Sequence, residues 1–439
     1  MVADIDHSPR IHFTMLPTKS RSVLLLSCAS LLATHAGQAP TRVDAWYGRS
    51  VYFIVTDRFA LSQKANDTAP RCDGHDWCGG TFLGLRRHLD YIAAMGFDAL
   101  WITPVVEQVK WRDRWNGTGY HGYWAADFAA IETRLGGEAE LRALREACAA
   151  RQMLFMLDVV ANHVGPIHSL AQVAQLGAPL DDLLLRPFHT LGRRAGESLQ
   201  QYIDAPTKFT DAGPDCYPSY TFGKGCNNTV LLDGWFGDLA DLNQSHAPTA
   251  AVLLDWIAAL VRNYAVDGLR LDTALYMPKD FLRRFQAAAG VYIVGEVTTT
   301  NVSFHASFTP PLTAVLNFPV AKKVPAAFGR GGSLCDLRAV LEHQATALYA
   351  DVRLLGNFID NHDGHRFLYT QRARLHTAVA RRADRVLWDG AACGLECLRP
   401  AHLDVASGLG PLHRPRPIHH VAPRRAPRQW ACSRRLLGS

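Results

Sequence analysis

Three carboxylates stand at the polar ends of apolar runs: Asp272 in GLRLDTALY, Glu296 in YIVGEV and Asp363 in FIDNHD. A fourth run, MLFMLDVVANH, ends on Asn162 and His163. A buried strand that delivers side chains to a site at its C-terminal end reads this way. Arg270 lies two residues before Asp272, so on a strand both side chains share one face. The guanidinium keeps Asp272 ionised, as a nucleophile must be. Glu296 can serve as acid and then base if burial and the charges of Asp272 and Asp363 hold it protonated. Taken singly, each residue has a plainer explanation. An Asp or Glu after a strand is ordinarily a helix cap, and a lone His is ordinarily structural. Four such blocks arriving in order outweigh those plainer explanations.

The elements that must position these groups alternate. Residues 50–59, 99–104, 153–160, 268–271, 292–294, 315–318 and 354–359 read as strands. Residues 82–95, 138–151 and 250–264 carry helical periodicity, with Leu85, Leu89, Ile92 and Met95 on one stripe of the first. Strands joined by helix-length connections pair in parallel. The alternation breaks over 163–235, which is rich in Gly and Pro and poor in periodicity. The expected class is α/β, a (β/α)8 TIM barrel with a small domain inserted after its third strand.

The chain has 439 residues, 48% hydrophobic and 20% charged, an ordinary globular composition. Its net charge of +6 is misleading. Residues 371–439 hold 13 Arg, no Lys and 4 acidic residues, a net of +9, which leaves −3 on the other 370. The body therefore has no basic stripe for nucleic acid. Met15 opens a stretch that resembles a signal peptide, with Lys19 and Arg21 ahead of the apolar run 23–33 and small residues at Ala36 and Gly37. That run is too short to span a bilayer. The alternative is a buried N-terminal helix. Translation from Met15, secretion and no membrane span are the expectations. Secretion makes the ten cysteines interpretable. Cys72 and Cys78 bracket one tight loop and Cys216 and Cys226 another, while Cys148 falls in a helical pattern as a buried thiol. Sequons stand at Asn66, Asn116, Asn227, Asn243 and Asn301.

Together the four blocks resemble the alpha-amylase superfamily, glycoside hydrolase family 13, and most closely its secreted fungal-type members, over about residues 46–369. The resemblance implies endo-acting, retaining cleavage of α-1,4-glucosidic bonds in starch or glycogen. Asp272 matches the nucleophile, Glu296 the acid/base, and Asp363 with His362 the pair that grips the reacting sugar. Arg270 and His163 match further substrate contacts, and YHGYW supplies His121, Tyr123 and Trp124 around the same sugar. A Ca2+ site is implied at Asn162 and Asp241 with the backbone carbonyl of Tyr276, and a further carbonyl near Lys224. The short-loop disulfides Cys72–Cys78 and Cys216–Cys226 are implied as well. Two departures stand out. Leu275 and Tyr276 replace a Lys-His pair on the leaving-group side, which weakens or alters that subsite, and NHDGHRF replaces NHDNPRF.

The expected organisation is a leader and extension over 1–40, barrel over 45–162, domain B over 163–235, barrel again over 236–370, and an atypical tail over 371–439. From 371 onward there is no Phe, Tyr or Asn and one Ile, so no eighth barrel strand is expected. That composition resembles a GC-rich gene read out of frame near residue 380, or else a basic disordered tail. The expected partner is a polysaccharide, with no nucleic acid or membrane and a monomeric state. The alternatives are a glucanotransferase of the same family or an inactive truncated product.

Overall fold

The computed structural model describes residues 43–62, 74–114, 117–329, 333–364, 366–367 and 404–407. The leader, Cys72, the sequons at Asn66 and Asn116, and most of the tail lie outside them. All described residues belong to the unit Thr41–Ser439.

The strands in chain order are β1 (Ser50–Ile54), β2 (Ala99–Ile102), β3 (Val106–Gln108), β4 (Ala125–Ile131), β5 (Leu154–Val159), β6 (His163–Pro166), β7 (Leu239–Asp241), β8 (Gly268–Leu271), β9 (Tyr292–Gly295), β10 (Ala314–Val315) and β11 (Asp404–Ser407). Seven form one parallel sheet in the order β10-β9-β8-β5-β2-β1-β11. This is the (β/α)8 barrel architecture. β1, β2, β5, β8 and β9 are apolar runs buried almost throughout, as parallel strands between two layers must be. The remaining strands form two antiparallel two-stranded sheets, β3–β4 and β6–β7.

Period-2 alternation sorts the strand residues into two cores. Tyr52, Ile54, Leu100, Ile102, Leu157 and Leu269 pack outward in the main apolar layer with the helices. Val51, Phe53, Trp101, Met156, Tyr292 and Val294 point inward and fill the barrel around Trp46. Trp46 stacks on Tyr292 at 5.0 Å and donates its indole N–H to the Asp267 carbonyl. The inward row continues upward from Met156 to Asp158, from Gly268 through Arg270 to Asp272, and from Val294 to Glu296. An apolar plug thus lies beneath a polar floor.

Several expectations are corrected. The helix over 82–95 divides into Phe82–Arg86 and Leu89–Ala94. The sixth strand stops at Val315, because Asn317 caps a helix that carries Pro319 in its first turn. The seventh strand over 354–359 shrinks to one parallel bridge, Gly356 to Leu316, since its two-residue neighbour β10 offers almost no ladder. The missing eighth strand is present in short form: Asp404–Ser407 runs parallel to β1, Ser50 opposite Asp404 and Phe53 opposite Ser407. Its sequence, DVAS, contains one β-branched residue, so composition gives no sign of it. Three sequon asparagines serve as caps, Asn227 and Asn301 at helix starts and Asn243 at a turn.

Gly268 is required by close approach. A Cβ there would meet Trp46 Cζ2 at 2.5 Å. We predict that Gly268→Ala destabilises the fold by about 1–3 kcal/mol, read as a lower denaturation midpoint. An unchanged midpoint would contradict this packing.

Candidate active site

Arg270, near the end of β8, is fully buried. Its Nη1 lies 3.0 Å from Asp158 Oδ1 and 2.5 Å from Asp272 Oδ1, and its Nη2 lies 2.8 Å from Glu296 Oε2. One guanidinium therefore meets carboxylates from β5, from the turn after β8 and from the end of β9. Register makes this possible, because Asp158 stands opposite Arg270 in the β5–β8 ladder. Asp158 also accepts from Trp101 Nε1 at 3.1 Å and from the Tyr123 hydroxyl at 2.9 Å. The sequence reading missed Asp158 as a site residue. Its position at the polar end of a strand, like that of the other carboxylates, was the available signal.

Burial dominates the proton affinities here. It pushes Asp158 up to about 7, against the pull of Arg270. It raises Asp272 too, again opposed by Arg270. Glu296 is raised by burial, lowered by Arg270, and raised further by the charge of Asp272, whose side chain lies within hydrogen-bonding reach. Burial disfavours the charge of Arg270, but the surrounding carboxylates hold it protonated well above its ordinary range. The result is one fixed cation between two carboxyls close enough to influence each other's protonation.

Asp363 and His362 arrive on the chain after the Gly356 bridge. The Asp363 side chain is 58% open to solvent and 3.5 Å from His362 Nε2. Partial burial, then the charge of Glu296, raises its proton affinity, and solvent screening moderates both effects. His362 stacks on Tyr123 at 5.5 Å with its Nε2 2.9 Å from the Tyr123 hydroxyl. That hydroxyl donates to Asp158, so His362 Nε2 carries the proton and Nδ1 is a bare acceptor, buried without a hydrogen-bond partner. Burial lowers His121 and His163 to about 4 each, so both are neutral at neutral pH. His121 Nδ1 accepts the Tyr123 amide at 3.1 Å, and His163 stacks on Phe236. Trp124 behaves differently from its neighbours. It is 5% exposed and turns into the core, its ring edge against His121, so it supports that imidazole from behind.

The connection from β3 leads into β4 through Tyr120 to Trp124, and the Trp124 carbonyl accepts the Val109 amide at 3.0 Å. The loop closed by the Cys216–Cys226 disulfide brings Tyr220 to Tyr276. Leu275 is buried in the core, so its side chain does not face the cleft. Cys148 is a buried free thiol, as expected. Cys78 is disulfide-bonded, and so is Cys335, which the sequence did not single out.

The candidate metal donors sit at the start of the β6–β7 pair, with His163 opposite Asp241. Asn162 Nδ2 donates to Asp241 Oδ1 at 2.9 Å, and Asn162 Oδ1 is buried without a hydrogen-bond partner. Burial pushes Asp241 up to about 7, against the hydrogen bond from His189 at 2.6 Å. An orphaned amide oxygen beside a buried carboxylate is a donor set that suits a hard cation. Tyr276 packs its ring on Phe209 and Phe236, and Lys224 is exposed. A separate trio, Asp113, His168 and Asp238, also converges. There His168 meets Asp113 at 3.0 Å and Lys208 meets Asp238 at 2.9 Å, so neighbouring side chains already answer its charge.

Comparison with known proteins agrees with this geometry. Residues 53–388 match the family described as Alpha amylase, catalytic domain. Alpha-amylase 1 of Lipomyces kononenkoae is 34% identical over 345 residues, 76% of this chain and 50% of that protein. Alpha-amylase 2 of Schwanniomyces occidentalis is 34% identical over 324 residues, 73% of this chain and 58% of that protein. The chain thus spans about half or a little more of these curated relatives. The structure of an alpha-amylase from Malbranchea cinnamomea superposes with a TM-score of 0.66 at 31% identity, covering 83% of this chain and 69% of that one. The family match extends past residue 370, where the sequence resemblance was placed to end. With the barrel, the buried Arg270 and the carboxylates all inside the matched residues, the chain belongs to the alpha-amylase catalytic-domain family.

Proposed function

We propose that this chain is an endo-acting, retaining alpha-amylase that hydrolyses α-1,4-glucosidic bonds of starch or glycogen. The observation that carries this is the shared guanidinium: Arg270 touches both Asp272 and Glu296, and the two carboxyls lie within mutual reach. Retaining enzymes hold their carboxyls close, whereas inverting ones leave room for a water between them. Asp272 attacks the anomeric carbon as Glu296 protonates the departing oxygen, giving a covalent glycosyl-enzyme. Glu296, now a base, takes a proton from water, the water oxygen bonds to the anomeric carbon, and Asp272 leaves. Asp363, His362, His163, His121 and Tyr123 hold hydroxyls and a sugar face of the reacting unit. The histidines do so neutral, each nitrogen's role fixed by its neighbours.

In the same reading Asn162 and Asp241 hold Ca2+ with the Tyr276 carbonyl, the orphaned Asn162 oxygen being the support for it. Bound there, the ion would tie the insertion to the barrel. Domain B is residues 163–235, and the protein is secreted, monomeric, and acts on polysaccharide without nucleic-acid or membrane partners. The second reading, a glucanotransferase, draws on Tyr220, a half-buried ring backed by Tyr276 that could stack on a sugar acceptor. Products from maltoheptaose separate the two: shorter sugars alone for hydrolysis, longer ones also for transfer.

Three outcomes test this function. Glu296→Gln should lower reducing-sugar release from soluble starch by about 10²–10⁴-fold while the thermal midpoint is kept. Full activity in that variant would end the assignment. Both limbs of the kcat/KM profile should lie above the ordinary carboxylate range, since burial raises both groups. The acid limb follows ionisation of Asp272 and the alkaline limb loss of the Glu296 proton. An acid limb at an unperturbed carboxylate value would contradict that environment. Chelation should lower the melting temperature by several degrees, as loss of any native-state ligand does. Asn162→Ala should abolish this dependence; a melting temperature indifferent to calcium in the parent chain would remove the metal from the proposal.

A further inference from the structure

Thr273, the residue after Asp272, has φ +48°, in the left-handed region. A β-branched residue rarely sits there. Such conformations persist where surroundings enforce them, and they collect at functional sites. Here the turn aims both polar groups of one residue at the site. The Thr273 amide donates to Glu296 Oε2 at 3.0 Å, and its hydroxyl donates to Asp272 Oδ2 at 3.1 Å. The side chain is buried with them, at 6% exposure.

We propose that Thr273 is a positioning residue that fixes the plane of Asp272 through its hydroxyl and directs the transferable proton of Glu296 onto Oε1 through its amide. This rests on the reading of Asp272 as nucleophile and Glu296 as acid/base. Oε2 of Glu296 accepts the Thr273 amide and is ion-paired with the Arg270 guanidinium, whose Nη2 lies 2.8 Å away. A proton on that oxygen would point into them, so it sits on Oε1. In the first step the Oε1 proton passes to the glycosidic oxygen. The bond from that oxygen to the anomeric carbon breaks, and a carboxylate oxygen of Asp272 bonds to the same carbon. Asp272 Oδ1 is held by Arg270 and Oδ2 by the hydroxyl, so the carboxylate cannot rotate out of line. Arg270 accounts for the charge of the site, and Thr273 accounts for its orientation.

The test compares Thr273→Val, Thr273→Ala and Thr273→Ser. Valine keeps the shape and the β-branch and removes only the hydroxyl. Loss of one buried hydrogen bond to a carboxylate should lower kcat about tenfold in the Val and Ala variants, with KM within about twofold. Serine should recover most of the rate. A hydroxyl that donates to a carboxylate favours its charged form, so its loss should move the acid limb of kcat/KM to higher pH. Asp272 also faces Arg270, Asp158, Glu296, Asp363 and Tyr123, all unchanged in these variants. The same displacement should appear in the carboxyl ¹³C titration of Asp272, assigned with Asp272→Asn, which needs no activity. If the parent chain cleaves no glucan yet Thr273→Val raises that titration, the amylase function falls and the orienting role stands. If the titration is unmoved, or if Ser is as impaired as Val, the role of the hydroxyl is refuted whatever the activity.

Discussion

A guanidinium buried in a barrel must be answered by negative charge, and that constraint organises this protein. Moving an isolated ion out of water costs several kcal/mol even after relaxation. Arg270 is fully buried, so three carboxylates close on it from three different strand ends. The need is mutual, because Asp158 and Asp272 are as buried as the cation that holds them. Register is then tightly specified. A slip of one residue in β8 would turn Arg270 toward the helices and leave Asp158 uncompensated. The apolar plug below, with Trp46 packed onto Gly268, has no tolerance for such a slip either.

Around this pair, the polar groups are arranged so that each has one role. Tyr123 donates to Asp158, which leaves its oxygen to accept from His362 and thereby sets the tautomer of that imidazole. The Tyr123 amide does the same for His121. Burial keeps these rings neutral, so they can donate from one nitrogen and accept at the other. That is the equipment for gripping sugar hydroxyls. The elements that carry these groups lie outside the barrel sheet. The β3–β4 connection brings Tyr123 to Asp158 and His362, and the disulfide-closed loop brings Tyr220 to Tyr276. The rigid sheet fixes the reacting carboxyls while these loops shape the space above them.

The sequence signal is strongest where it is local. An apolar run with a polar end reads as a strand and its delivered side chain, and β8 and β9 do lead into Asp272 and Glu296, whereas the run before Asp363 keeps only the Gly356 bridge. Four such blocks in order, and no single neighbourhood, mark the three carboxylates. Arg270 and Asp272 at a spacing of two could be set on one face by the period of a strand. The reading was weaker where elements are short. β10, the single Gly356 bridge and β11 have too few residues to print a period, and DVAS carries almost no hydropathy signal. The resemblance groups Trp124 with Tyr123 around the sugar, yet Trp124 is buried in the core while Tyr123 reaches Asp158 and His362.

By itself the sequence determined which chemistry was available. Its strand ends specify the carboxylates, the arginine and the histidines, because residue type and period-2 alternation are properties of the chain alone. Tertiary structure decided how those groups act on one another. Asp158 is a strand residue by pattern and becomes the acceptor of Arg270, Trp101 and Tyr123 only after β2, β5, β8 and the loop leading into β4 have packed. Thr273 is one polar residue among many until the turn after β8 forces it left-handed between two carboxyls. Proton affinity, tautomer and donor direction depend on burial and on partners brought from far along the chain, and neither is written in local spacing.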